Sequence, residues 1–228
     1  MNPVNSGHEL IVVKPGLMSF AFSEGLQQEI HNKVVRGEWP SCLILHELEP
    51  VLTYGRNVGA LGRKQGVIDD IKNLDFLPAD RGGKITAHMP GQLVVYPILP
   101  LPRWGLSVRD YVQRLEQVAI DLLQALGLHS CRDLKYPGVW VGSKKIAALG
   151  VRVKQRVSQY GLALNVSPNL EIFEKIVPCG ISNRGVCSLK THLGANVPSV
   201  QEVSLLFEEE FLQVFDCDSR ETGRICKS

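Results

Sequence analysis

Near the middle of the chain, Gln92-Leu93-Val94-Val95-Tyr96-Pro97-Ile98-Leu99 form a nearly continuous apolar run. Successive side chains of a strand point to opposite faces, so a strand with one wet face would alternate apolar and polar residues. This run does not alternate, which predicts a buried central strand. Helices able to pack on such a sheet are visible in the pattern. From about Ser19 to Arg36, Phe22, Leu26, Ile30 and Val34 recur every four residues and mark one helical face. A clearer helix opens at Ser107, with Asp110 three residues on as a variant capping box. Its stripe of Val108, Tyr111, Val112, Leu115, Val118, Ala119, Leu122, Leu123 and Leu126 has period 3.6 and ends at Gly127. A last helix is expected from about Val200 to Val214.

Shorter strands fill the gaps. Glu9 to Val13 reads as a strand ended by Lys14-Pro15-Gly16. Cys42-Leu43-Ile44-Leu45 and Val51-Leu52-Thr53-Tyr54 read as the strands of a hairpin or ribbon, followed by a polar loop from Gly55 to about Asp80. Gly138 to Val141, Lys145 to Val153 and Tyr160 to Val166 complete the set. Strands and helices mix without regular alternation, which predicts an α+β fold, a mixed β-sheet with packed helices. No repeat or Pro/Ser-rich linker divides the chain, so residues 1–228 are expected to form a single domain. A domain of this length buries about 70% of its unfolded surface without disulfide or metal.

Composition excludes several functions. The formal net charge of +2 gives no basic stripe, so no nucleic acid is expected as a partner. No apolar run approaches the roughly 18 residues of a membrane span, so no membrane is expected either. The six cysteines (Cys42, Cys131, Cys179, Cys187, Cys217 and Cys226) include no C-x-x-C pair, which supports neither a zinc site nor a disulfide framework. The opening residues carry neither secretory nor transit character, and a reducing cytoplasmic location is expected.

Three segments are unusual for scaffold. In Arg81-Gly82-Gly83-Lys84-Ile85-Thr86-Ala87-His88-Met89-Pro90-Gly91-Gln92, adjacent glycines let backbone approach a ligand, and polar groups stand at the mouth of the apolar strand. A tight turn with a solvated arginine fits the same residues. In Val139 to Arg152, Gly142-Ser143 reads as a hairpin turn, so Lys145 opens the returning strand. A lysine facing the core there would be desolvated and suited to proton transfer; two surface lysines at a hairpin tip are the plain alternative. In Ile176-Val177-Pro178-Cys179-Gly180-Ile181-Ser182, a cysteine between proline and glycine sits on a shaped turn, where Gly180 leaves room for an acyl group and frees an N–H toward an oxyanion. A lone cysteine is otherwise commonly a buried hydrophobe.

In this order and spacing, Arg-Gly-Gly-x-x-Thr-x-His-x-Pro-Gly-Gln, Lys-Ile-Ala-Ala-x-Gly-x-Arg, Gly-x-Ala-Leu-Asn-Val and Pro-Cys-Gly-Ile resemble the lipoyl/octanoyl transferases, over Leu52 to about Leu189. The resemblance implies a biotin/lipoate protein ligase-like fold and an acyltransferase. It names Cys179 as the residue that carries the acyl group as a thioester and Lys145 as its partner. Arg81, Gly82, Gly83, Lys84, Ile85, Thr86, Ala87 and His88 would line one side of the acyl site. Ala148, Leu149 and Gly150 with Gly161, Leu162 and Ala163 would line the rest, their small side chains leaving a slot for an alkyl chain. The implied donor is octanoyl-acyl carrier protein. The implied acceptors are lipoyl domains of 2-oxoacid dehydrogenase complexes and the glycine cleavage H protein. No cofactor is implied, and a monomer is expected. This chain departs from the family pattern at Ala87, where an aromatic residue is usual and a wider slot is therefore expected. It departs also at Met89, at Tyr160, where a histidine is common, and at Cys187, where a threonine is usual. An ATP-using ligase of the same fold and a non-catalytic acyl-binding module are the competing readings; neither requires the Cys179–Lys145 pair.

Overall fold

In the computed structural model, residues 8–58, 74–174 and 184–221 are described. The apolar run becomes β6 (Gln92–Ile98), every residue of which is buried. It lies inside an eight-stranded sheet, and its alternation divides two cores. Leu93 and Val95 join one hydrophobic cluster, whereas Val94, Tyr96 and Ile98 join another. The first core is roofed by α2 (Val108–Ala125) and α3 (Val200–Phe215), the second by α1 (Phe20–Val35). Helices on both faces are the reason this strand does not alternate with polar residues after Gln92.

The helices begin where their caps direct. Ser19 accepts from the Phe22 N–H at 3.3 Å. Ser107 and Asp110 form a reciprocal capping box on α2, and Ser199 and Glu202 form one on α3. The α1 face buries Leu26, Ile30 and Val34, but Phe22 is 45% exposed.

In the large sheet the order is β11-β1-β2-β6-β10-β9-β8-β7, with β1 (Glu9–Met18), β2 (Ser41–Leu48), β7 (Cys131–Arg132), β8 (Val139–Val141), β9 (Lys144–Lys154), β10 (Val157–Asn165) and β11 (Asp218–Glu221). The β11/β1 and β1/β2 pairs are parallel and the remainder antiparallel. A second sheet has the order β4-β3-β5, from β3 (Val51–Tyr54), β4 (Phe76–Pro78) and β5 (Ile85–His88). The two sheets together with the helices make the α+β architecture expected.

Two expectations are corrected. Lys14-Pro15-Gly16 does not end β1; the register shifts between Val13 and Gly16 and the strand continues to Met18. Proline has no N–H for the ladder, and a local irregularity absorbs the loss. Nor do β2 and β3 form a hairpin, although only Glu49 and Pro50 separate them. β2 is already flanked by β1 and β6, while β3 is flanked by β4 and β5 in the other sheet. Pro50 between them offers no donor to continue a ladder.

β10 carries an irregularity that positions the site. Its antiparallel register with β6 runs from Asn165↔Gln92 to Leu162↔Val95 and stops there. The next ladder donor on β6 would be Pro97, which has none. The hydroxyl of Ser158 bridges the break, accepting from the Leu99 N–H at 2.9 Å and donating to the Pro97 carbonyl at 2.7 Å. At the break Tyr160 adopts φ 54°.

Candidate acyl-transfer site

The Arg-Gly-Gly turn is organised by its own arginine. Arg81 is 8% exposed, and its guanidinium donates to Thr53 Oγ1 at 2.7 Å, the Thr53 carbonyl at 3.2 Å, the Gly82 carbonyl at 3.0 Å and the Lys84 carbonyl at 3.2 Å. The solvated-arginine alternative is therefore set aside. A planar fork with five N–H donors can hold this many fixed oxygens, which an ammonium cannot.

Beneath the turn lies a cavity of about 40 Å³ between β5, β6, β9 and β10. It gathers Arg81, Gly83, Lys84, Ile85, Thr86, His88, Ala148, Leu149, Gly150, Gly161, Leu162 and Ala163, twelve of the residues anticipated. Gly82 and Ala87 do not line it. Ala87 is fully buried in a third cluster with Leu52, Ile85 and Phe173, so its small size widens that core and not the slot. Three further lining residues, Val94, Tyr96 and Tyr160, were not anticipated as slot residues. The alternation of β6 would have placed Val94 and Tyr96 together on one face.

Two of the glycines are not there to make room for a ligand. A Cβ on Gly161 would lie 2.3 Å from the Val95 carbonyl oxygen and 2.8 Å from Pro97 Cδ. A Cβ on Gly150 would lie 2.9 Å from Arg81 Cδ. The protein's own atoms fill both spaces, and it is Ala148 and Ala163, paired across β9 and β10, that leave the wall thin.

A buried relay sets the protonation of His88. Asn165 Nδ2 donates to the Cys187 carbonyl at 2.9 Å, and a carbonyl can only accept. Asn165 Oδ1 therefore faces Gln92 Nε2, at 2.9 Å, and Gln92 Oε1 faces His88 Nδ1, at 2.7 Å. His88 must donate from Nδ1, which leaves Nε2 as the acceptor. Burial first, and the Arg81 charge second, push its pKa down to about 4, so the ring is neutral near pH 7.

Tyr160, which also lines the cavity, donates to Glu24 Oε2 at 2.8 Å and accepts from the Asp80 N–H at 2.9 Å. Burial raises the Glu24 carboxyl, against the opposing pull of Tyr160 and Arg81.

Lys145 and Lys144 are separated by strand alternation. Val141 pairs with Lys144 across the Gly142-Ser143 turn, Lys144 is exposed, and Lys145 is 7% exposed. Lys145 Nζ donates to the Pro137 carbonyl at 2.9 Å and lies 4.8 Å from the centre of the Trp140 ring. Its backbone is clasped by the chain that follows the Pro178-Cys179-Gly180 motif: the Lys145 N–H donates to Gly185 O and the Cys187 N–H donates to Lys145 O, each at 3.0 Å.

Cys179 itself, like Cys226, lies outside the described residues. Among the described cysteines, burial pushes the thiols of Cys42 and Cys217 up to about 12 and that of Cys187 to about 11. Thiolate is the reactive form, so none of these three is suited to be a nucleophile near neutral pH.

Residues 19–212 match the family model for the lipoyl protein ligase A/B catalytic domain. An octanoyltransferase from Alkaliphilus metalliredigens is 40% identical over 209 residues, covering 89% of this chain and 95% of its own. An octanoyltransferase from Caldanaerobacter subterraneus subsp. tengcongensis is 39% identical over 206 residues, covering 90% of each. Among solved structures, a lipoate-protein ligase A bound with ATP superposes with a TM-score of 0.70 at 13% identity, covering 94% of this chain and 87% of that one, a likeness of fold alone. This chain therefore belongs to the lipoyl/octanoyltransferase family of acyltransferases, built on the fold of the lipoate protein ligases.

Proposed function

We propose that residues 1–228 act as one catalytic domain that moves an octanoyl group from octanoyl-acyl carrier protein to a lysine of a lipoyl domain, through a thioester on Cys179. This is the first step of endogenous protein lipoylation. The acceptors are lipoyl domains of 2-oxoacid dehydrogenase complexes and the glycine cleavage H protein. The enzyme works as a monomer in the reducing cytoplasm.

One observation carries the reading. A desolvated lysine stands at the start of the strand that leads along the slot, and the chain just past the Pro-Cys-Gly motif is hydrogen-bonded to that lysine's backbone. The six chain steps from Cys179 to Gly185 span at most about 22 Å, a reach that supports pairing the thiol with Lys145. On the other side of the motif, Phe173 packs with Ile85 and Ala87, beside the slot wall.

The chemistry follows from these groups. An ammonium near a thiol favours the thiolate, which otherwise forms with a pKa near 8.5. The Cys179 thiolate attacks the octanoyl carbonyl, the S–C bond to the carrier breaks, and the carrier sulfur departs as a thiol with the proton that the Lys145 ammonium gives up. In the acyl-enzyme, the ε-amine of the acceptor lysine attacks the thioester carbonyl. Lys145, now neutral, takes a proton from that amine as general base, and Cys179 leaves as the thiolate. The thioester already carries the activation, so no ATP enters and no cofactor is needed.

The test is incubation with octanoyl-acyl carrier protein without ATP. The protein should gain the mass of one octanoyl group, removable with hydroxylamine, and Cys179→Ala should abolish the adduct while five cysteines remain. An adduct that survives in Cys179→Ala would sink the assignment. A requirement for ATP and free octanoate would make the protein a ligase.

A further inference from the structure

We propose that the Tyr160 ring is the stop at the closed end of the acyl slot and sets the longest chain the enzyme accepts. The proposal rests on the acyl-transfer reading above.

Register places the ring at the far end. Along β9 and β10, Ala148 pairs with Ala163, Gly150 with Gly161 and Val151 with Tyr160. A chain entering from the Lys145 end passes Ala148 first. Tyr160 stands three residues beyond, about 10 Å at strand spacing. The slot wall is thin at the alanine pair, and the largest side chains that line the cavity are Tyr160 and Tyr96. Their rings meet edge to face at 5.6 Å.

The residue is held by its ring, its hydroxyl and its backbone. Its hydroxyl donates to Glu24 and accepts from the Asp80 N–H, so it cannot swing aside without leaving a half-buried carboxyl group and a backbone donor without these partners. The Tyr160 N–H, released from the β6 ladder at the Pro97 break, donates to Gln27 Oε1, and Gln27 is 2% exposed. Tyr96 supports the ring face. The backbone conformation, φ 54°, is one that a bulky L-residue adopts only when its surroundings impose it. A residue of this size held in a strained conformation at a cavity wall is over-determined for packing alone. Beyond the ring lies the Glu24 carboxyl, beside which further methylenes would gain nothing.

The measurement is the transfer rate, as kcat/KM, with acyl carrier protein donors of six to fourteen carbons. Tyr160→Gly removes the ring while suiting the positive φ, and Tyr160→Phe keeps the ring and removes the hydroxyl. Wild type should fall off beyond its preferred length, whereas Tyr160→Gly should accept two or more additional carbons. At about fourfold per buried methylene, two of them change the long-to-short preference roughly fifteenfold. Tyr160→Phe should keep the wild-type maximum. Thermal unfolding confirms that each variant is folded; should Tyr160→Gly fail to fold, Tyr160→His, with its smaller ring, must show a displacement in the same direction. A folded, active ring-deleted variant with an unmoved length profile overturns the proposal, as does a Phe variant that moves as far as the Gly variant. Wild type inactive with every donor would overturn the acyl-transfer reading instead, so the two failures are distinguishable.

Discussion

Lys145 and Lys144 are adjacent in sequence and opposite in environment, and the difference is chemical as well as geometric. Lys145 is held against the Pro137 carbonyl and the Trp140 face, while Lys144 reaches solvent. Lys145→Ala should therefore return the Cys179 thiol toward about 8.5, slow its alkylation near pH 7, and slow acyl transfer, in keeping with the 10²–10⁴-fold range of general acid–base catalysis, roughly. Lys144→Ala should change both by less than about twofold, since surface charges contribute little. Iodoacetamide labelling followed by peptide mass analysis, read alongside transfer rates, checks this, and a larger effect from Lys144→Ala would reverse the assignment. At the same scale the His88 relay explains why Gln92 and Asn165 are amides: each presents one donor and one acceptor, and a carboxylate at position 165 would have nothing to donate to the Cys187 carbonyl.

Among the elements, the β6–β10 seam is the most constrained. Pro97 breaks it, Ser158 bridges the gap, and Gly161 lets the strands approach where a Cβ would meet Val95 O at 2.3 Å. Gly161→Ala must push the two strands apart or rotate a buried backbone. The expected loss is about 1–3 kcal/mol or more, the range for overpacked sites, read as a lower urea midpoint with m unchanged. A midpoint equal to wild type would show that the seam relaxes freely. Because the damage falls on the sheet and not on the space of the slot, Gly161 substitutions report on stability, and chain length has to be probed at Tyr160.

At the level of the whole molecule, three buried histidines couple stability to pH, and burial lowers His31 in the same direction as the two that shift furthest. Burial pushes His46 down to about 3, with His88 nearby contributing, and pushes His88 down to about 4. The unfolded chain protonates both near 6.5, so between about pH 6.5 and 4 the unfolded state binds more protons than the folded one. Stability from these groups is thus present above 6.5 and lost as pH falls, at up to about 1.4 kcal/mol per pH unit for each histidine. Glu24 and Glu116 act the other way, because burial raises both carboxyls and folding then favours their protonated forms. The net expectation is a melting temperature that drops from pH 7 to pH 5, with a shallower drop in His46→Gln, whose amide can still reach Ser23 Oγ, the 2.9 Å partner of His46 Nε2. Identical slopes in the two proteins would remove His46 from the account.

What was legible in the chain itself was whatever local pattern dictates. The unalternating β6 run, the caps at Ser19 and Ser107 and the 3.6-residue stripe of α2 each have a physical cause within a few residues, and each element formed where expected. The Arg81–His88, Ala148–Gly150 and Gly161–Ala163 segments were recognisable by motif, and the fold brings most of them to one cavity. Tertiary structure alone decided the rest. Polar Asp218–Glu221 carries no strand pattern and becomes β11 only because β1 has an open edge to pair. β2 and β3 part company because each edge of both is claimed by strands distant in sequence. Ala87 turns to a different core, and Tyr160 enters the slot because Pro97, more than sixty residues earlier, lacks the N–H that would have continued the seam. Periodicity and capping act over one or two turns, whereas partners, edges and close approaches are set by segments that meet only once the chain has folded.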